Sequence, residues 1–353
     1  MKNKNRLLII IVVLLLVVAA LVTGNHYTTL RDNESNFAVR DTASVTKIFI
    51  ADNNVYESLL ERTNRGWVLN KKFPANKKAV EFFLETLKKI RVKAPVSKAA
   101  ESNVIKRLAG TAVKVEIYQR VPYINLFNRI KLFYHEKLTK VFFVGGATQN
   151  NLGTYMLMDG AEHPYIVYIP GFRGFVSVRF TPKPDDWKSH VVFNHKLSNI
   201  KSVEVDNFQK PEESFRVTVE DAMGNYQITR LSDNAKITDY DTLKLLNFLT
   251  SFRDLKYESR LNNLLPPERI DSIINSKPIY NLLLVDVHND TTKVIIYKKN
   301  RFPDEVNNAF DEFVPVDLDR FYGLINKGED FVLMQYYVFD KVLRPLDYYI
   351  KKE

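Results

Sequence analysis

Pro74-Ala75-Asn76-Lys77-Lys78-Ala79-Val80-Glu81-Phe82-Phe83-Leu84-Glu85-Thr86-Leu87-Lys88-Lys89-Ile90 is the stretch whose reading sets the fold class. Pro74-Ala75-Asn76 has the character of a helix opening, and Val80, Phe83, Leu84, Leu87 and Ile90 then recur at helical spacing. Lys77, Lys78, Glu81, Glu85, Lys88 and Lys89 occupy the other side. Such a helix has one face to bury and needs a layer to bury it against. The flanking sequence supplies strands for that layer. Residues 45–50, 55–62 and 66–69 read as strands separated by Asp/Asn and Asn-Arg-Gly turns. A shorter helix is expected over 101–108. Val113, Val115 and Ile117 then alternate with Lys114 and Glu116, the pattern of a half-buried strand. Further short strands follow at 141–144, 155–158 and 165–169, broken by Asn-Asn-Leu-Gly and Asp-Gly turns.

The second half reads as the same programme. Val203 and Val205 alternate, as do Phe215, Val217 and Val219, and Tyr226 and Ile228 follow a Met-Gly-Asn turn. A helix carries Leu245, Leu246, Leu249, Phe252 and Leu255, with Asp239 or Asp241 as its cap. Pro266-Pro267-Glu268 opens a second helix through Ile270, Ile273 and Ile274, and Leu282 to Val287 with Val294 to Tyr297 make a hairpin. Each half therefore runs strands, long helix, short helix, strands. The expectation is α+β: two similar units with mainly antiparallel sheets, at 44–190 and 198–350, related by internal duplication. A chance likeness of two ordinary α+β units is the alternative. The junction follows Thr181-Pro182-Lys183-Pro184-Asp185-Asp186.

Ahead of both units, Lys2, Lys4 and Arg6 precede an apolar run from Leu7 through Ile11, Leu15 and Val18 to Val22. As a helix, residues 7–23 rise about 25 Å, the short end of a membrane span. No charge interrupts the run, and the upstream cations favour a cytoplasmic N-terminus. Residues 1–24 are thus expected to be a cytoplasmic stub and transmembrane anchor; a cleaved export signal is the competing reading. Both place the remainder outside the cytoplasm, and 25–43, polar and without apolar period, reads as a tether.

Composition narrows the classes further. The 353 residues contain no Cys, which excludes a disulfide scaffold, a thiolate metal site and a Cys nucleophile. The formal charge of +10 belongs to an exported domain, so nucleic acid is not an expected partner. Gly145-Gly146 lacks the rest of a phosphate loop and reads as a turn. His190 and His195 fall on opposite faces of a strand, while His135, His163 and His288 are isolated. Asp185-Asp186 beside Trp187 reads as a turn cap, Asp52-Asn53-Asn54 lacks the Gly and Glu of a calcium loop, and no nucleophile elbow occurs. No catalytic residue, metal or cofactor is expected, and the chain reads as a non-enzyme.

Gly66-Trp67-Val68-Leu69 leading into Pro74-Ala75-Asn76 and its helix, Val144-Gly145-Gly146, Leu152-Gly153-Thr154-Tyr155 and Asp186-Trp187 together carry a resemblance. They resemble the domain-of-unknown-function 4340 type of bacterial envelope proteins, whose relatives stand behind one membrane helix or are fused to auxiliary components of gliding-motility ABC transporters. The resemblance implies a place in the envelope and brings no catalytic motif with it.

Two stretches read as contact surfaces. One is the basic face of 71–107, including Lys77, Lys88, Lys89 and Arg91, suited to anionic headgroups or an acidic partner, or simply a solvated helix face. The other is the insertion at 123–135, where Leu126, Phe127, Ile130, Phe133 and Tyr134 fall at helical spacing. It is read either as an amphipathic element that touches a membrane or partner, or as a long hairpin whose aromatics close over the core. Pro170-Gly171-Phe172-Arg173-Gly174-Phe175 reads as an exposed aromatic loop or a plain turn. The function expected is that of an inner-membrane, single-pass protein with a periplasmic body, serving as a non-catalytic interaction component of an envelope complex, transporter- or motility-associated. The alternative is an extracytoplasmic ligand-binding module with a cleft between the two units.

Overall fold

Both periodicities find a partner layer in the computed structural model, which describes residues 11–15, 17, 34–53, 55–126, 130–220, 225–301, 315–325 and 328–351. The chain divides into two units between Ser189 and His190. In the first, strands β1 (Val45–Ala51), β2 (Glu57–Thr63), β3 (Gly66–Leu69) and β4 (Phe73–Pro74) form a meander. Helix α1 (Lys77–Lys89) follows, then β5 (Arg91–Pro95) and helix α2 (Lys98–Thr111). A second meander, β6 (Val113–Leu126), β7 (Ile130–Ala147), β8 (Thr154–Met158) and β9 (Tyr165–Tyr168), completes a nine-stranded sheet in the order β4-β3-β2-β1-β6-β7-β8-β9-β5. Every described pairing in it is antiparallel.

Helix α1 begins where expected because Asn76 stays extended and its side-chain oxygen accepts from the N–H groups of Lys78 and Ala79. Val80, Phe83, Leu84 and Leu87 are buried against Ile48, Ile50, Val115, Ile117, Phe142 and Val144. The two-residue strand period then forces the next residues onto the other face. Phe143, Tyr155 and Leu157 pack there against Val104 and Leu108 of α2. The two helices thus cover opposite faces of one sheet, and each fully buried large apolar side chain contributes about 1.5–3 kcal/mol.

Three expectations change. The tether 25–43 is not free to its end: Phe37 and Val39 are buried, Phe37 meets Phe142 edge-on at 5.9 Å, and the Val39 N–H donates to Leu87 O at 2.9 Å. Their apolar alternation was a strand-like signal too short to register as one. Gly145-Gly146 is no turn but lies within β7, at a register irregularity, where a Cβ on Gly145 would stand 2.6 Å from Leu108 Cδ2. The missing side chain lets α2 approach the sheet. Finally, α2 runs well beyond the 101–108 expected for it.

The second unit uses β10 (Val191–Phe193), β11 (Ile200–Asn207), β12 (Phe215–Val219), β13 (Tyr226–Arg230) and β14 (Lys236–Ile237). After the four-residue helix α3 (Pro184–Trp187) of the first unit, its own helices are α4 (Thr242–Ser251) and α5 (Pro267–Ile274), with β15 (Leu255–Lys256) and β16 (Ser259–Arg260) between them. Strands β17 (Tyr280–Asp286), β18 (Thr291–Asn300), β19 (Val316–Ile325) and β20 (Asp330–Gln335) close the sheet β14-β13-β12-β11-β17-β18-β19-β20-β16, while β10 pairs with β15 apart from it. Asp241, rather than Asp239, caps α4, accepting from the N–H groups of Leu243 and Lys244. Leu245, Phe248 and Leu249 pack on one face with Val294 and Ile296; Ile270, Ile273 and Ile274 pack with Ile295 and Tyr297 on the other.

Within β19, Asp317 gives a pH prediction. Burial acts to raise its pKa, but hydrogen bonds from Lys299 Nζ and from the Asp319 and Arg320 N–H groups, each 2.9 Å, outweigh that and hold it below the ordinary 3.8. A depressed folded-state pKa means the stabilisation is complete above the unfolded value and is lost as pH falls through the folded one. Asp317→Asn is therefore expected to flatten the loss of second-unit stability below about pH 4, measured by denaturation at stepped pH. Equal acid slopes in the two proteins would contradict it.

Among the described residues no helix is long and apolar enough to cross a membrane. Of the expected anchor residues, Leu7, Val18 and Val22 lie outside the described residues; Ile11 and Leu15 are helical, with their side chains exposed.

Candidate functional site

Strands β6 and β7 are much longer than their neighbours, and that difference builds the site. Their register runs from Val113↔Val144 to Leu126↔Ile130. Strand β1 pairs with β6 only as far as Gln119, and β8 pairs with β7 only from Phe142 onward. Beyond those points the two strands have only each other as sheet partners among the described residues, and from Gln119/Lys137 to Leu126/Ile130 they form an arm about 23 Å long. The Arg120 N–H donates away from β7, to Ser44 O at 2.8 Å. Two residues on, Pro122 has the same orientation, so its missing N–H falls on the outer edge and removes no ladder bond.

The base of the arm is clamped by polar contacts. Gln119 Nε2 donates to Asp41 O (3.1 Å) and Ser44 Oγ (2.8 Å), and Lys140 Nζ donates to Asn36 O. Glu136 takes Lys47 Nζ and Thr46 Oγ1, each at 2.6 Å. The hydrogen bond from Lys47, followed by that from Thr46, holds the Glu136 carboxyl below its usual range, so this acid is charged and already paired.

The outer part of the arm is different. Tyr123 is 70% and Phe133 71% exposed, and Ile130, Leu132 and Tyr134 are exposed as well. Cross-strand pairing sets Pro122 opposite Tyr134 and Ile124 opposite Leu132, so the even-numbered positions line one apolar side. Tyr123 stacks on His135 at 3.6 Å, and the Arg120 guanidinium lies 5.5 Å from the Tyr134 ring. Phe133 has a φ of 57°, a left-handed conformation that costs a bulky residue of order 1–3 kcal/mol. A lone two-stranded ribbon is marginal in water, and a monomer seldom exposes this many neighbouring apolar side chains without a use for them.

The described residues of 123–135 are paired strand, as the long-hairpin reading expects and the helical one does not, but their aromatics stay exposed and do not close over the core. Among the expected contact residues, Ile130, Phe133 and Tyr134 share the exposed arm, Leu126 occupies its last rung on β6, and Phe127 lies outside the described residues. Helical spacing and strand alternation both accommodate Ile130 and Tyr134. What decides is that β6 and β7 continue as paired strands from the sheet.

The basic face is less available than its sequence implies. Lys77 lies 3.8 Å from Glu81 and Lys89 2.5 Å from Glu85, both one helical turn apart. Arg91 donates to the Lys88 and Ile90 carbonyls at the end of α1, while Lys88 is exposed. Phe172 of the 170–175 loop is turned back toward α1, with the Arg179 guanidinium between it and Phe82 at 4.6 and 4.5 Å. In the second unit, a depression of about 720 Å³ is bordered by Arg320, Gln335, Tyr336 and Tyr337. Two of its polar side chains are already engaged, since Arg320 Nε and Gln335 Nε2 both donate to Glu258 Oε2. No group of three metal-ligating side chains occurs among the described residues.

The docking of Asn36 to Ser44 at the base of the arm was missed from sequence. Phe37 and Val39 were the available signal. The model of one family, "Domain of unknown function (DUF4340)", matches residues 67–272, more than half of the chain, which belongs to that family. Neither the curated proteins nor the solved structures contain a match.

Proposed function

We propose that this DUF4340 chain is a membrane-anchored, periplasmic interaction component of a bacterial envelope complex, transporter- or motility-associated, and that it works by contact rather than by catalysis. The observation that carries this reading is the β6–β7 arm: an element longer than the sheet requires, apolar at the outside and clamped at its base. The uninterrupted apolar run 7–22 behind three cations supports the anchor, which raises the local concentration of the body at the membrane. The family match supports the envelope context only as far as the resemblance to envelope proteins extends. We also read the two units as an internal duplication, because their sheets place successive strands in the same order and put the long helix and the short helix on opposite faces.

The test combines crosslinking in native membranes, followed by mass spectrometry, with Ile130→Ser and Phe133→Ser. Exposed positions change stability by about 0.5 kcal/mol or less. The expected result is a folded protein with its crosslinks weakened. Unfolding of both variants would make these side chains core, and unchanged crosslinks would take the arm out of the function.

A further inference from the structure

We propose that the arm inserts its outer end into the surface of an anionic lipid bilayer, the same bilayer that holds the N-terminal run. This deepens the proposed function and rests on its anchored reading: an arm seated in the bilayer surface holds the body where the partner meets it, so that loss of the arm's apolar side chains weakens the partner crosslinks as well. From Gln119 to His135 the sequence contains Arg120, Arg129 and Lys131 and no carboxylate. The acid at the base, Glu136, is occupied by Lys47 and Thr46. An exposed set of Tyr123, Ile130, Leu132, Phe133 and Tyr134 accompanied only by cations complements negatively charged headgroups over an apolar interior. An acidic protein groove would satisfy the charges, but five exposed apolar side chains distributed on both sides of a ribbon need a medium that surrounds the ribbon.

Backbone chemistry limits the depth. The outer edges of a two-stranded ribbon keep unpaired N–H and C=O groups, which hydrocarbon does not solvate. The arm therefore rests at the interface, where tyrosines are favoured and the edges still reach water. The geometry is consistent with that depth. The chain that leaves the apolar run arrives at the base of the arm, where Asn36, Asp41 and Ser44 contact Lys140, Gln119 and Arg120. The sequence places residues 24–36 between the apolar run and that base, enough chain for a maximum reach of roughly 40 Å, and the paired strands of the arm run about 23 Å. Anchor and arm can meet one surface without either being stretched.

The experiment uses the full chain carrying Phe133→Trp, reconstituted into vesicles of phosphatidylethanolamine and phosphatidylglycerol with brominated acyl chains. Trp67 and Trp187, the two native tryptophans, supply a background measured on the unsubstituted protein. Ile130→Trp is the second site, should the left-handed backbone at position 133 not accept the indole. The expected result is a blue-shifted indole, quenched by bromine. Adding Arg120→Gln with Lys131→Gln should lower the partition of the arm about thirtyfold, near fivefold for each cation. A protein that floats with the vesicles while both indoles stay unquenched and open to iodide would overturn the arm proposal and leave the anchor standing. An indole shielded from iodide but untouched by bromine would mean a protein surface covers the arm, which also overturns it. A chain that washes free of the vesicles with its indole unquenched would overturn the anchored reading together with this one.

Discussion

Phe83→Ala is expected to lower the stability of the first unit by about 3–5 kcal/mol, the range for an aromatic truncated inside a packed core. Phe83 is 1% exposed and stands edge-on to Phe180 at 5.3 Å and Trp187 at 5.4 Å. Phe180 in turn meets Phe142, and Phe142 meets Phe37. The row of rings thus ties α1, β7, the C-terminal end of the unit and the docked lead-in segment into one cluster. Each edge-on pair is worth about 0.5–1.5 kcal/mol beyond the area it buries, and the truncation removes two of them. The surroundings come from several elements, so the site cannot collapse by moving one of them, which favours the upper part of the range. The measurement is urea denaturation followed by tryptophan emission. Both tryptophans, Trp67 and Trp187, lie in the first unit, so the signal reports that unit alone in a chain that need not unfold in one step. A loss under about 1 kcal/mol would mean the ring cluster is not the centre of this core.

Asp330→Ala is expected to cost the second unit about 3–5 kcal/mol. The Asp330 side chain is 1% exposed and accepts from Arg260 Nε at 2.7 Å, which links edge strand β16 to β20. The pair itself adds little net stability, because both groups lose water on folding. Removing the carboxylate alone leaves the guanidinium without its buried counter-charge, and that imbalance supplies the large effect. Replacing both, as Asp330→Leu with Arg260→Leu, is expected to recover most of the loss. Hydrogen exchange resolved along β16 and β20 checks both: amides at Ser259 and Leu333 should exchange faster in the single variant and return toward the parent in the double one. A double variant as unstable as the single would show that the charge imbalance is not the cause.

The comparison between these two sites shows what was legible in advance. Phe83 belongs to the helix whose spacing was apparent from Val80 to Ile90, and its burial followed from position alone. Arg260 and Asp330 are 70 residues apart and carry no local pattern that joins them. The same division runs through the candidate site. Ile130, Phe133 and Tyr134 stood out as apolar residues in a cationic segment, but their 3–4 spacing overlaps the strand alternation of Ile130, Leu132 and Tyr134.

By itself the sequence determined whatever depends on neighbours along the chain: the faces of α1 and α4, the helix opening at Asn76, the alternation of β6 and β17, and the antiparallel α+β class that short turns between strands impose. Only the tertiary structure decided the rest. It carried β5 and β16 to the far edges of their sheets, docked Phe37 and Val39 beneath α1, placed Gly145 under Leu108, and drew 119–126 and 130–137 out as an unsupported ribbon. The reason is the range of the forces involved. Helical spacing, capping and turns act over a few residues, whereas strand partners are chosen by sheet edges far away in sequence, and an arm becomes an arm only where its neighbours stop.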